Sequence, residues 1–367
     1  MVQSSGDKVV PQLIAWEVTR RCTLRCRHCR AAATDQAYQG ELTTRQCMRL
    51  LDNIASFSKP IIILTGGEPM LRDDIYDIAR HGHSLGLRMV IAVCGMLLDD
   101  TSVARLLDAG VQCVSISLDG PDAASHDGFR QVDGAFDGAL NGIDAARRGG
   151  LPFQVNTTVT RHNVDQLADI MHLAEQLGAV TFNPFLLVPT GRGKELADQE
   201  LSPQQYEATL QWLARQQPAT GMAVRVTCAP HYQRIIRQRQ AKSNHVAPTH
   251  SAASTHQHAR QHMGQGCMGG KSFAFISHVG RVQICGFLED EAGDLNANDL
   301  DFRAIWQDSE LFRRIRAVDD YHGKCGWCEY RRVCGGCRAR AYAMTGDYLA
   351  SEPFCVYEPR LKQPDKT

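Results

Sequence analysis

Between residues 10 and 190 six short apolar runs alternate with helix-patterned segments, and that alternation leaves few folds open. The runs are LIAWEVT (13–19), IIILT (61–65), RMVIAV (88–93), CVSISL (113–118), FQVNTTVT (153–160) and VTFNPFLLV (180–188). They are rich in β-branched residues and almost continuously apolar, as strands buried on both faces are. Between them, TTRQCMRLLDNIASF (43–57) opens on a Thr N-cap, and DQLADIMHLAEQLG (165–178) closes on Gly178. Strands joined by helices pair in parallel, so the expected fold is α/β: a partial, six-unit parallel β/α barrel with its site at the C-terminal strand ends. Residues 1–220 are assigned to this barrel. Residues 221–264 form a connecting segment with a His-rich linker, and 265–367 a small Gly- and Cys-rich domain held by metal centres rather than by a large core.

The chain has 367 residues with formal net charge zero, which gives no argument for a nucleic-acid partner. No apolar run approaches the roughly 18 residues of a membrane span. The start, MVQSSGDKVV, lacks a basic-then-apolar leader, so a cytoplasmic location is expected. Fourteen cysteines are too many for incidental core residues, and a reducing compartment disfavours disulfides, so metal ligation is the default. Cys47, Cys94 and Cys113 read as small buried hydrophobes. The histidines at 245, 250, 256, 258 and 262 lie in a polar, aperiodic stretch that reads as a linker.

Ten of the fourteen cysteines fall in two groups. The first, in RRCTLRCRHCR (20–30), is Cys22, Cys26 and Cys29, directly after the first strand and therefore at the barrel mouth. A closed zinc site or a saturated iron–sulfur cluster needs four ligands. With three thiolates, either a distant residue completes the site or one metal position stays open, and an open position is where chemistry happens. C-x3-C-x2-C after a first strand resembles the radical S-adenosylmethionine (SAM) enzymes. That resemblance implies a 4Fe–4S cluster whose free iron is chelated by SAM, and reductive cleavage of SAM to a radical that abstracts hydrogen from an unactivated carbon.

Other motifs agree with the resemblance. TGGEP (65–69) follows the second strand, and the family's role for this loop carries to Gly66, Gly67 and Glu68 as SAM contacts. Ser117 and Asp119, in SISLDG, match positions near the SAM ribose. Asn156 and Thr158 are expected to point into the mouth, and His28 stands where the family has an aromatic residue beside the adenine. The third strand ends in Cys94-Gly95, where relatives commonly have Asn-Gly, and a thiol cannot make an amide's hydrogen bonds.

The second group, Cys267-x12-Gly280-x4-Cys285 … Cys325-x2-Cys328-x5-Cys334-x2-Cys337 … Cys355, resembles the SPASM extension, a small C-terminal iron–sulfur cluster domain with one or two auxiliary 4Fe–4S clusters. By position, Cys325, Cys328, Cys334 and Cys355 would hold one cluster, and Cys267, Cys285 and Cys337 would be three ligands of a second. The spacing CGGC is one residue shorter than the usual run, and C-x2-C pairs also suit zinc.

SPASM enzymes modify peptides or tetrapyrroles. Peptide modifiers often carry an N-terminal recognition domain of roughly 80–90 residues, for which this chain has no room before its first strand. Strings such as IIILTGGEPMLR, FLLVPTGRGKELA, TCAPHY and GKCGWCEYRRVCGGCRARAYAMTGDYLASEPFC resemble the haem-forming branch, whose members oxidatively decarboxylate two propionates of iron-coproporphyrin III to vinyls, giving haem b. Close relatives include the didecarboxysiroheme deacetylase and the haem d1 enzyme, and peptide-modifying SPASM maturases remain the more distant alternative. The resemblance also implies a low-potential electron donor such as ferredoxin or flavodoxin. Retained propionates need a grip, most naturally a bidentate arginine: Arg130, Arg192, Arg338 and Arg340 are candidates. In TCAPHY, His231 is a candidate ligand to the substrate iron, and Cys228 either a substrate contact or the completion of the three-cysteine set.

Overall fold

A computed structural model describes residues 9–243 and 266–360; the five linker histidines lie outside them. The sheet is built from β1 (Leu13–Thr19), β2 (Ile61–Gly66), β3 (Arg88–Val93), β4 (Val111–Ser117), β5 (Phe153–Val159) and β6 (Thr181–Leu186), paired in parallel and in chain order. The six apolar runs are these six strands, two with the same bounds and four with ends moved by one or two residues. Helices α1 (Thr44–Ala55), α2 (Ile75–Ser84), α3 (Asp100–Asp108), α4 (Ala123–Arg130), α5 (Ala135–Gly149), α6 (Leu167–Gln176) and α7 (Pro203–Gln216) cover the outer face. Local chemistry fixes their starts. Thr43 with Gln46, Asp99 with Ser102, and Ser202 with Gln205 each form a reciprocal capping box, satisfying amides that the first turn leaves unpaired. One face of α1 then buries Cys47, Leu50, Leu51 and Ile54 against the sheet.

The sheet extends beyond the six units at both ends. A two-residue strand β7 (Ala223–Val224) pairs with β6 and leads, through the loop holding Cys228, to α8 (His231–Ser243). On the other side β8 (Phe273–Ile276) pairs in parallel with β1, and β9 (Arg281–Cys285) and β10 (Leu288–Asp294) follow in antiparallel order. The ten strands run β10-β9-β8-β1-β2-β3-β4-β5-β6-β7, so the sheet is open, with β10 and β7 as its edges among the described residues. The Cys-rich segment therefore does not hang off the barrel: its first strand is hydrogen-bonded to the barrel's first strand. Short helices α9 (Phe302–Asp308), α10 (Glu310–Arg316), α11 (Gly323–Trp327) and α12 (Arg338–Thr345) complete it. No helix among the described residues is long and apolar enough to cross a membrane.

Candidate active site and cluster sites

The loop after β1 puts Cys22 and Cys26 at 7% exposure each, with Cys29 half-buried, beside Cys94 and Ala135. Backbone bonds fix it: the Cys22 N–H donates to Thr34 C=O (3.0 Å), and the Arg27 N–H to Phe129 C=O (3.0 Å). Arg192 clamps it from the loop after β6. Its amide donates to Cys29 C=O (3.0 Å), and its guanidinium to Cys26 C=O (2.9 Å) and Ala33 C=O (2.7 Å). The thiol environment suits a cluster. The Ala33 N–H donates to Cys29 Sγ (3.4 Å) and Arg130 to Cys26 Sγ (3.5 Å). Burial pushes the Cys22 thiol up to about 12, so without iron it stays neutral, and a bound cluster supplies the charge that makes it a thiolate.

Gly66 and Gly67 pass so close to β1 that a side chain fits at neither. A Cβ on Gly66 would overlap Thr19 C=O, and one on Gly67 the carbonyls of Arg20 and Arg21. The Gly67 and Glu68 amides donate to Thr19 C=O (2.9 Å) and Arg21 C=O (2.7 Å). Fully buried Glu68 accepts from the amides of Met70 (3.0 Å) and Cys94 (2.7 Å), tying the ends of β2 and β3 together. The amide of Cys94 thus does structural work that its side-chain identity does not affect, and its thiol lies against Glu68 and Cys22. Gly67→Ala is expected to displace this loop and weaken SAM binding at least about tenfold, read by equilibrium dialysis on reconstituted protein; unchanged affinity would count against the loop's role.

Asp119 is buried, with its carboxylate ion-paired to Arg130 (2.6 Å) and accepting from the Thr158 N–H (2.7 Å). Burial works against its charge, but Arg130 holds the carboxyl below its usual range. His28 stacks on Phe129 (4.4 Å between ring centres), which stacks in turn on His162 (5.6 Å). Burial lowers His28 to about 3, so the imidazole is neutral. Ser117, Asn156 and Asn183 stand in register across β4, β5 and β6, and Asn183 donates to Asn156 Oδ1 (2.9 Å). Asn183 was not singled out from sequence; its place in that polar row was its only signal.

In the C-terminal domain Cys325, Cys328, Cys334 and Cys355 line one cavity. Three backbone amides aim at its sulfurs: Tyr330 at Cys328 (3.4 Å), Gly336 at Cys334 (3.5 Å) and Glu352 at Cys325 (3.4 Å). Such donors stabilise anionic sulfur. Cys267, Cys285 and Cys337 come together elsewhere, and Cys228 lies among them, within electrostatic reach of all three. Cys228 adopts φ 60°, unusual outside glycine. Its carbonyl accepts from Arg340 (3.1 Å) and Tyr206 (3.1 Å), which hold that conformation. Among the described residues no three His, Cys, Asp or Glu side chains converge on a point a single metal ion would fill.

Five substrate candidates need correction. Arg338 and Arg340 have zero exposure. Arg338 donates to the carbonyls of Tyr348 (3.0 Å) and Ala350 (2.7 Å), and Arg340 to those of Leu187 (2.7 Å) and Cys228, so both tie backbone together rather than await a propionate. Arg130 and Arg192 are spent on Asp119 and on the cluster loop. His231 is also engaged: one ring nitrogen meets Tyr206 Oη (3.2 Å), and the other is ion-paired with buried Glu352, so neither is free for a substrate iron. Sequence reasoning also missed Glu17, a lone acid in an apolar strand. It has zero exposure and pairs with Arg20 (2.7 Å), Arg30 (2.7 Å) and His278 (3.3 Å). Arg30 continues over Phe275 (4.5 Å) against Gly286, joining the first cluster loop to the C-terminal domain.

Parallel strands that end in a three-thiol loop, with a glycine-rich loop pressed against it, define an enzyme that works on SAM at an open iron. The Radical SAM superfamily pattern matches residues 16–174. The AdoMet-dependent heme synthase of Methanosarcina barkeri is 47% identical over 352 residues, covering 96% of this chain and 98% of that one. Its counterpart in Nitratidesulfovibrio vulgaris is 48% identical over 353 residues, covering 96% and 94%. Streptococcus suis SuiB, solved with S-adenosylmethionine bound, shares the fold with a TM-score of 0.74 at 16% identity, covering 95% of this chain and 78% of that one. The chain belongs to the radical SAM superfamily and, within it, to the family of the AdoMet-dependent haem synthases.

Proposed function

We propose that the protein converts iron-coproporphyrin III to haem b by oxidative decarboxylation of two propionates to vinyls. The observation that carries this reading is the near-full-length similarity to the M. barkeri haem synthase, 47% over 98% of its length. For each propionate a hydrogen atom leaves the carbon β to the carboxylate. The bond to the carboxylate then breaks to release CO2, and one electron leaves as the vinyl forms. When bound, the first cluster with SAM supplies the hydrogen-atom acceptor, and an auxiliary cluster the electron acceptor.

The chain's own residues hold and orient these groups. Cys22, Cys26 and Cys29 are the ligands of the first cluster, and Arg192 fixes their backbone. Gly66 and Gly67 let the main chain approach SAM, and Glu68 locks that loop. Asp119, ordered by Arg130 and the Thr158 amide, with Ser117, Asn156 and His28, lines the SAM side of the mouth. Cys325, Cys328, Cys334 and Cys355 form one auxiliary set. Cys267, Cys285 and Cys337, completed by Cys228, form the other, and four ligands would leave no iron open to substrate. A low-potential protein such as ferredoxin or flavodoxin supplies the electron.

The test is a mass spectrum of the anaerobic reaction. Two successive losses of about 46 Da, CO2 plus two hydrogens each, are expected, with a monovinyl intermediate between them. Iron-coproporphyrin III returned unchanged while SAM is cleaved would reject the substrate and leave the enzyme class standing.

A further inference from the structure

The segment that carries the first cluster's ligands is also the most basic in the chain, with Arg20, Arg21, Arg25, Arg27 and Arg30 inside eleven residues of a protein whose net charge is zero. The structure sorts these five. From Arg21 to Arg27 the side chains alternate without a break: Arg21, Thr23, Arg25 and Arg27 are exposed, while Cys22, Leu24 and Cys26 are buried. The alternation comes from extended backbone pinned on one edge, where the Arg25 and Arg27 amides donate to the carbonyls of Arg130 (3.3 Å) and Phe129 (3.0 Å). Arg20 and Arg30 turn inward and share Glu17. Arg21 is matched by Asp35 (2.7 Å). Arg25 and Arg27 are matched by nothing: among the described residues neither guanidinium has a hydrogen bond or an ion pair.

Two unpaired cations thus stand on the outer surface of the strip whose inner surface presents the thiols. Neither supports the fold, since each projects into solvent, and neither lies among the residues that line the SAM side of the mouth. Solvated arginines cost the fold little, and these two lie next to Cys26 in the chain, on the solvent side of the strip that carries two of the three thiols. We infer that the Arg25–Arg27 face is the docking surface for a small acidic protein that carries a one-electron centre near its own surface. In the encounter the donor's centre is oxidised by one electron and the cluster reduced by one, with no bond made or broken. Encounters of this kind bury little area and depend on charge complementarity for their rate, so two unneutralised positive charges are a sizeable part of the recognition. The inference requires only the radical SAM class and is independent of which tetrapyrrole is the substrate.

The test compares wild type with the Arg25→Glu/Arg27→Glu and Arg25→Gln/Arg27→Gln proteins, each reconstituted and checked for unchanged iron content. Oxidised flavodoxin, a redox-silent acidic probe, is titrated by calorimetry at low and high salt. Charge reversal is expected to weaken binding at low salt at least about tenfold and to flatten its salt dependence, with the glutamine pair intermediate. Cluster reduction by flavodoxin hydroquinone, followed by stopped flow, should slow in parallel, while reduction by the small cationic methyl viologen radical should not. Unchanged flavodoxin affinity would overturn the assignment. So would equal slowing with the viologen, which would place the effect in the cluster, or a loss of iron-coproporphyrin III binding with donor rates intact, which would make the face a substrate surface. If charge reversal lowers the iron content, the glutamine pair alone decides by the same readings.

Discussion

Protein carrying Cys22→Ala, Cys26→Ala and Cys29→Ala together is expected to lose about four iron atoms per chain and to form no 5′-deoxyadenosine above background when incubated anaerobically with SAM and dithionite. The effect is complete because the three thiols lie on one backbone-pinned loop, and Cys94, beside them, is hydrogen-bonded toward Glu68 rather than held in reserve. The C-terminal iron should remain, since its ligands are carried by other elements. Deoxyadenosine formed at the normal rate by the triple variant would remove these thiols from the role.

Cys325→Ala and Cys355→Ala should separate the two halves of the chemistry. Each removes one wall of the cavity shared with Cys328 and Cys334, so about four iron atoms should be lost while SAM cleavage persists. Release of CO2 should fall at least about tenfold, because the organic fragment cannot become a vinyl until one electron has left it. The paired measurement, deoxyadenosine against CO2 from one reaction, distinguishes this from general damage, which lowers both. Intact decarboxylation with the auxiliary iron gone would make this cluster site structural only.

Much of the barrel was legible because its signals are local. The periodicity of LIAWEVT or FQVNTTVT is set by residues two apart, and the Thr43 and Ser202 caps act within one turn. Four runs were read one or two residues too long or too short at their ends, where fraying and caps rather than apolar pattern decide. The join between the halves was not legible. Nothing in Phe273–Ile276 says that it will lie parallel to Leu13–Trp16, more than 250 positions earlier in the chain.

The arginines show the same limit more sharply. In sequence, Arg130, Arg192, Arg338 and Arg340 were equivalent: basic residues near motifs, each able to grip a carboxylate. Folding gave Arg130 to Asp119 and the other three to carbonyl oxygens of the backbone, some from segments about 150 residues away, such as Leu187 for Arg340. A guanidinium at zero exposure must satisfy its five N–H groups within the protein, and that demand decides its role.

By itself the sequence determined the order of strands and helices, the three-thiol loop and the glycine loop that meets it, because each is written in neighbours joined by a few peptide bonds. Only the tertiary structure decided that Cys228 joins Cys267, Cys285 and Cys337, that His231 belongs to Glu352, and that two arginines outside the thiol strip stay unpaired. The first two outcomes depend on which distant carbonyls, carboxylates and thiols share a desolvated space. There an unpaired polar group costs more than the chain entropy of bringing its partner in.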